Sequence, residues 1–244
     1  MQQSPEFTRR RFIAGTAAFA ATTALAQAPG TATPAAPPTI VFQGDSITDA
    51  GRDRVGHANE PASMGPGYVG LLAESLQRDH AGVQIFNRGV SGNRVLDLLG
   101  RWEQDTLRLQ PDVVSILIGV NDTWHRYLPG GVGIKVPRFA VLYRMLLEDV
   151  REQRPACRLV LCEPFALPTP RGSFKAEWMP ELRERMAVLR GLAQEFGAIF
   201  VPFQDKFEEA MRQFSPAELA GDGVHPSLLG HQLMARTWRE ATGL

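Results

Sequence analysis

Apolar residues gather in five short runs along the chain: Thr39–Gln43, Val83–Asn87, Val113–Ile118, Arg158–Glu163 and Ala198–Val201. Each is rich in Val, Ile, Leu or Phe and bounded by Gly, Pro or charged residues, the pattern of buried strands. The segments between them carry helical spacing instead. Gly70–His80 repeats Leu71, Leu72 and Leu76; Arg94–Leu109 repeats Val95, Leu98, Leu99, Trp102 and Leu107. Arg138–Arg154 and Glu177–Phe196 behave alike, and Pro226-Ser227 opens a last helix over Ser227–Thr242. Strand and helix alternate throughout, which predicts one parallel sheet with helices on both faces. Three connections, Asp49–Pro66, Asp122–Pro137 and Pro164–Ala176, are long for an α/β fold and all leave carboxyl ends of strands. Long loops on one rim shape a binding site. Trp124, His125, Tyr127, Phe165 and Phe174 in them either wall a substrate or cap the core.

The length of 244 residues suits one large α/β domain or two small ones. The N-terminus stands apart from the alternating pattern. Thr8-Arg9-Arg10-Arg11-Phe12-Ile13 and the Ala/Thr-rich stretch after it read as a twin-arginine export leader over residues 1–28, with cleavage after Ala26 or Ala28. A periplasmic or secreted destination is therefore expected, without stable membrane association once the leader is removed. Residues 29–38 read as a Pro/Ala-rich linker and 39–244 as the folded domain. The 26 basic and 26 acidic residues balance, which speaks against electrostatic binding of nucleic acid. Removing the leader takes three arginines and Glu6 and leaves a net charge near −2. The two cysteines, Cys157 and Cys162, flank one predicted strand about 16 Å apart at ~3.3 Å per residue, too far for a disulfide. Oligomeric state is left open, a homo-oligomer included.

Ser46, in Gly44-Asp45-Ser46-Ile47-Thr48, sits just past the first strand, where reactive groups of open parallel sheets gather. The bland reading of Asp45-Ser46 is a helix cap or turn. A nucleophilic serine also needs a base, a group to orient that base, and donors for an oxyanion. Of the five histidines, His225 is the best furnished. It lies in Gly221-Asp222-Gly223-Val224-His225-Pro226, with Asp222 three residues upstream in the same compact turn. His57 lies in the first long loop, His80 at a predicted helix end, His125 beside Trp124 and His231 within the last helix. Gly89-Val90-Ser91-Gly92-Asn93 follows the second strand and Gly119-Val120-Asn121-Asp122 the third, offering backbone N–H groups and a side-chain amide. A metal site built from Asp45, Asp49, Asp53 and His57 lacks a recognised ligand spacing.

In this order, GDSIT, GVSGN, GVND and DGVH resemble the four blocks of the SGNH hydrolases, or GDSL-type esterases, over essentially the whole chain after the leader. The resemblance implies a flavodoxin-like three-layer α/β/α sandwich with a five-stranded parallel sheet of order 2-1-3-4-5. It implies Ser46 as nucleophile, His225 as base and Asp222 as its orienter. It also implies an oxyanion hole from the N–H groups of Ser46 and Gly92 and the amide of Asn121, with no metal and no cofactor. GDSITDAGR, GPGYV, RGVSGN, Arg101-Trp102-Glu103-Gln104-Asp105, Gln110–Ile116 and Ile118–Trp124 are most similar to the acetylxylan and acetyl-xylooligosaccharide esterases. That implies an oligosaccharide ester as substrate, with Trp124 and Tyr68 as expected substrate contacts. A general short-chain carboxylesterase or arylesterase, a lysophospholipase-like esterase and a sugar O-acetyltransferase share the same machinery and stay open.

Overall fold

The computed structural model describes residues 1–2, 37–167, 169 and 172–244. The expected leader after residue 2 and all but the end of the expected linker lie outside the described residues. The chain runs β1 (Thr39–Gly44), α1 (Ser46–Asp49), α2 (Pro61–Met64), α3 (Tyr68–Asp79), β2 (Gln84–Gly89), α4 (Val95–Asp105), β3 (Val113–Leu117), α5 (Val120–Tyr127) and α6 (Val136–Gln153). It continues through β4 (Arg158–Cys162), α7 (Met179–Glu195), β5 (Ile199–Val201), α8 (Phe203–Ala210), α9 (Pro216–Leu219) and α10 (Leu228–Thr242). All strand pairs are parallel, in the order β2-β1-β3-β4-β5. The expected flavodoxin-like α/β/α sandwich is present.

Alternation along the strands splits the core into two layers. Ile40 and Phe42 of β1 and Val113 and Leu117 of β3 pack with α3, α8 and α10. Val114 and Ile116 face the other way, onto α4, α6 and α7. Each layer centres on a buried tryptophan whose indole N–H is satisfied. Trp238 donates to Ser115 Oγ at 3.0 Å and Trp102 to the carbonyl of Leu146 at 3.1 Å. Cys157 and Cys162 are free and buried, and burial pushes their thiols up to about 11 and about 12. Among the described residues no helix is long and apolar enough to cross a membrane.

The structure corrects the reading of Asp122–Pro137 as a loop, because its first turns are α5. Gly119 opens that helix at φ 135°, a conformation other residues avoid. Its buried side includes Asn121, Asp122 and Thr123, so no apolar stripe betrays it. Helix α8 is hidden for the same reason: Phe203 and Phe207 share its buried face with Gln204.

Candidate active site

Strand register brings the candidate motifs side by side. Gly44, the last residue of β1, lies between Gly89 of β2 and Leu117 of β3, so the chain leaves three adjacent strands at one level of the rim. A Cβ on Gly44 would stand 2.6 Å from the Leu117 carbonyl oxygen and 2.2 Å from Thr48 Oγ, so the turn accepts only glycine. Asp45 caps the one-turn helix α1, its Oδ1 accepting from the Ile47 N–H at 3.0 Å. Ser46 is the first residue of that helix and remains partly accessible. Burial pushes the Asp45 carboxyl up to about 7 against the pull of the Ile47 N–H and the charge of His225. Its Oδ2 has no partner among the described residues.

Ser46 Oγ lies 2.8 Å from His225 Nε2, and His225 Nδ1 lies 2.6 Å from Asp222 Oδ2. Asp222 Oδ1 also accepts from the backbone N–H groups of Val224, at 2.9 Å, and His225, at 2.8 Å. Burial alone would raise this carboxyl. The hydrogen bonds from the His225 ring and the two backbone N–H groups outweigh it and hold Asp222 below the usual carboxylate range. An ionised carboxylate only accepts, so the ring proton sits on Nδ1 and Nε2 is left to accept from the Ser46 hydroxyl. That is the tautomer a general base requires.

Two expected donors follow the neighbouring strands β2 and β3. Gly92, at φ 80°, ends the Ser91-Gly92 turn after β2, with nothing near its Cβ position. Buried Asn121 donates one amide hydrogen to the Asn93 carbonyl at 3.1 Å, which leaves the second for a ligand. Two residues outside the expected set hold these turns together. Asp49 Oδ2, one turn after Ser46, accepts from both the N–H and the hydroxyl of Ser91, each at 2.9 Å, and pairs with Arg54. It thereby ties α1 to the Gly92 turn. Burial opposes ionisation of Asp49, but Arg54 and Ser91 prevail and keep the carboxyl below its ordinary range. Arg101 of α4 donates to Asn93 Oδ1 and to the carbonyls of Arg88 and Gly44. It is a strut behind both turns. Asp122, the fourth residue of GVND, accepts from the Val95 N–H. Burial pushes it up to about 7 despite the nearby Arg185 guanidinium. Asp49 is thus spent on Ser91, and among the described residues no group of three or more His, Cys, Asp or Glu could hold a metal ion.

The expected aromatic rim divides. Trp124 stays at the site, its ring centroid 6.3 Å from that of His225. Tyr127 is exposed and stacks on Trp178, whereas Phe165 and Phe174 are core residues. Tyr68 is corrected as an expected substrate contact. It begins α3 pointing inward, wholly buried, with its hydroxyl 3.1 Å from Thr48 Oγ. In its place the structure brings His231 to the wall of a cavity of about 420 Å³ that holds Ser46 and His225. A larger hollow of about 480 Å³ beside α2 and α3 is lined by no serine, cysteine or histidine.

This constellation finds a counterpart in known proteins. The sequence profile of the GDSL-like lipase/acylhydrolase family matches residues 42–233. The chain belongs to that family. It is 35% identical over 210 residues to an acetylxylan esterase of Geobacillus stearothermophilus, covering 84% of this chain and 93% of the relative. The crystal structure of Axe2, an acetylxylan esterase from the same organism, superposes with TM-score 0.76 at 32% identity over 85% of this chain and 94% of its own. A Parabacteroides merdae protein designated a GDSL-like lipase superposes with TM-score 0.81 at 45% identity, covering 85% of this chain and 96% of its own. Membership makes this GDSL-like chain a serine hydrolase of carboxylic esters.

Proposed function

We propose that this enzyme removes acetyl groups from xylan-derived oligosaccharides through an acetyl-serine intermediate. The observation that carries the catalytic part is the unbroken chain from Ser46 through His225 to Asp222, at 2.8 and 2.6 Å, with Gly92 and Asn121 following the adjacent strands β2 and β3. His225 Nε2 takes the hydroxyl proton as Ser46 Oγ attacks the acetyl carbonyl. The carbonyl oxygen becomes an oxyanion that receives hydrogen bonds from the N–H groups of Ser46 and Gly92 and the Asn121 amide. His225 then gives its proton to the departing sugar oxygen. Water repeats the sequence on the acetyl ester, releasing acetate and restoring Ser46.

The similarity to acetylxylan esterases supports the choice of acyl and sugar groups. Acetate release from acetylated xylooligosaccharides, acetylated pectin fragments and phenyl acetate tests the proposal. The xylooligosaccharide should give the highest kcat/KM, and Ser46→Ala should abolish release from all three. Preference for pectin fragments, or for long acyl chains in a series of esters, would overturn the substrate; activity retained by Ser46→Ala would overturn the mechanism.

A further inference from the structure

A second imidazole faces the reacting serine. His231 lies on α10, six residues after His225, and lines the same cavity of about 420 Å³. Its Nδ1 stands 3.1 Å from the backbone N–H of Tyr68. A backbone N–H can only donate, so Nδ1 accepts and the ring proton resides on Nε2. Burial, with help from the charge of His225, holds this imidazole down to about 4, so it is neutral wherever a histidine base works. The ring is also held in place. It stacks on Tyr68 with 6.5 Å between centroids and 14° between planes, and a Cβ at Gly67 would come within 3.0 Å of its Cε1.

Nε2–H has no partner among the described residues, yet it is not among the buried polar atoms left without one. It is accessible, on a side chain that lines the cavity. The other walls are apolar, formed by Ile47, Ala50, Pro66 and Leu228. A single fixed donor in an otherwise apolar hollow is how a binding site orients a ligand. The position of the hollow says which part of the ligand. Ser46 and His225 line it, whereas the oxyanion donors Gly92 and Asn121 do not. Because the base returns its proton to the departing oxygen, the base's side of the serine is the alcohol side.

We infer that His231 is a specificity-determining residue whose Nε2–H donates to an oxygen of the leaving alcohol, selecting alcohols with an acceptor oxygen beside the ester. Sugar esters meet that requirement through a neighbouring hydroxyl or ring oxygen; simple aryl esters do not. The inference rests on Ser46 being the nucleophile, and deepens that assignment by giving the alcohol pocket a chemical preference.

Two variants isolate the donor. His231→Asn sets an amide oxygen near the Nδ1 position, where it still accepts from Tyr68, and removes the far N–H. His231→Gln places an amide N–H near the Nε2 position instead. The measured quantity is kcat/KM on an acetylated xylooligosaccharide divided by kcat/KM on phenyl acetate. That ratio should fall roughly tenfold in His231→Asn, the scale of one lost hydrogen bond, and recover most of the way in His231→Gln. A ratio unchanged in His231→Asn, with both substrates affected alike, would overturn the inference and leave His231 as a prop for Tyr68. If the Gln variant does not fold, the ratio in the Asn variant decides alone. Failure of the nucleophile assignment looks different: Ser46→Ala would then keep activity on both substrates.

Discussion

Two buried aspartates near the nucleophile behave unlike the other carboxylates of the site. In Asp45 and Asp122 desolvation dominates and the carboxyls titrate at about 7, whereas Asp49 and Asp222 are held low by their donors. The signs for stability are opposite. A raised carboxyl binds its proton more tightly in the folded chain, so its contribution is full below the ordinary value of 3.8 and is lost as pH rises to about 7. A lowered carboxyl stabilises above its ordinary range and stops doing so in acid. Asp45→Asn keeps an oxygen to cap Ile47 and removes one such titration. The fall in unfolding free energy between about pH 4 and 7 should flatten by on the order of 1.4 kcal/mol per pH unit in that variant, read by urea unfolding at several pH values. At the same scale, Asn121→Ala should lower kcat ~10²–10³-fold with near-native circular dichroism, the cost of one oxyanion donor. Unchanged turnover would remove Asn121 from the oxyanion role. Gly92→Ala meets no atom but must hold φ at 80°, a strain of ~1–2 kcal/mol that should misdirect its N–H and reduce kcat.

Between elements, the site depends on side chains that tie one strand-end turn to its neighbour. Asp49 joins α1 to the Ser91-Gly92 turn, and Arg101 joins that turn to the carbonyl of Gly44. Asp49→Ala would leave the Ser91 N–H, its hydroxyl and Arg54 without their shared acceptor. We expect kcat to drop roughly 10–100-fold, because small displacements of an aligned group are costly. Ser91→Ala removes only the hydroxyl contact and should lose less; equal kinetics for Asp49→Ala and the parent enzyme would refute the tie. The sequence announced the endpoints of these ties but not the ties. Ser46, Gly92, Asn121, Asp222 and His225 stand in recognisable runs at strand ends. Asp49 and His231 look like an ordinary helix-end acid and an ordinary helix histidine, since their partners Ser91 and Tyr68 are 42 and 163 residues away. Tyr68 misled in the opposite sense, being an amphipathic residue at a rim position whose side chain turns into the core. Helix α5 escaped notice because its inward side is made of the polar residues that the site uses.

For the molecule as a whole, strand count and the two-sided helix cover followed from apolar runs of four to six residues broken by helical spacing, whereas the strand order came with the family resemblance. The four small helices α1, α2, α8 and α9 did not, since four to eight residues carry too little periodicity to read. The described part of the folded body begins at Pro37. A chain starting there should therefore melt at the temperature of the full-length protein and keep its kcat/KM on phenyl acetate. A markedly lower melting temperature would show that the preceding residues contribute to the fold.

The parallel sheet also decides which way the enzyme points when something is attached to it. All strands start on the rim opposite Ser46. There the Thr39 N–H is fixed by Asp112 at 2.9 Å, and Arg158, the first residue of β4, holds the Thr242 carbonyl at the end of α10 at 2.8 Å. Both ends of the folded body therefore leave from one side, a β1 length of about 20 Å from the reacting serine. A tether, carrier module or solid support joined at either end would hold the catalyst by its back, with its mouth turned outward to a polymer too large to diffuse in.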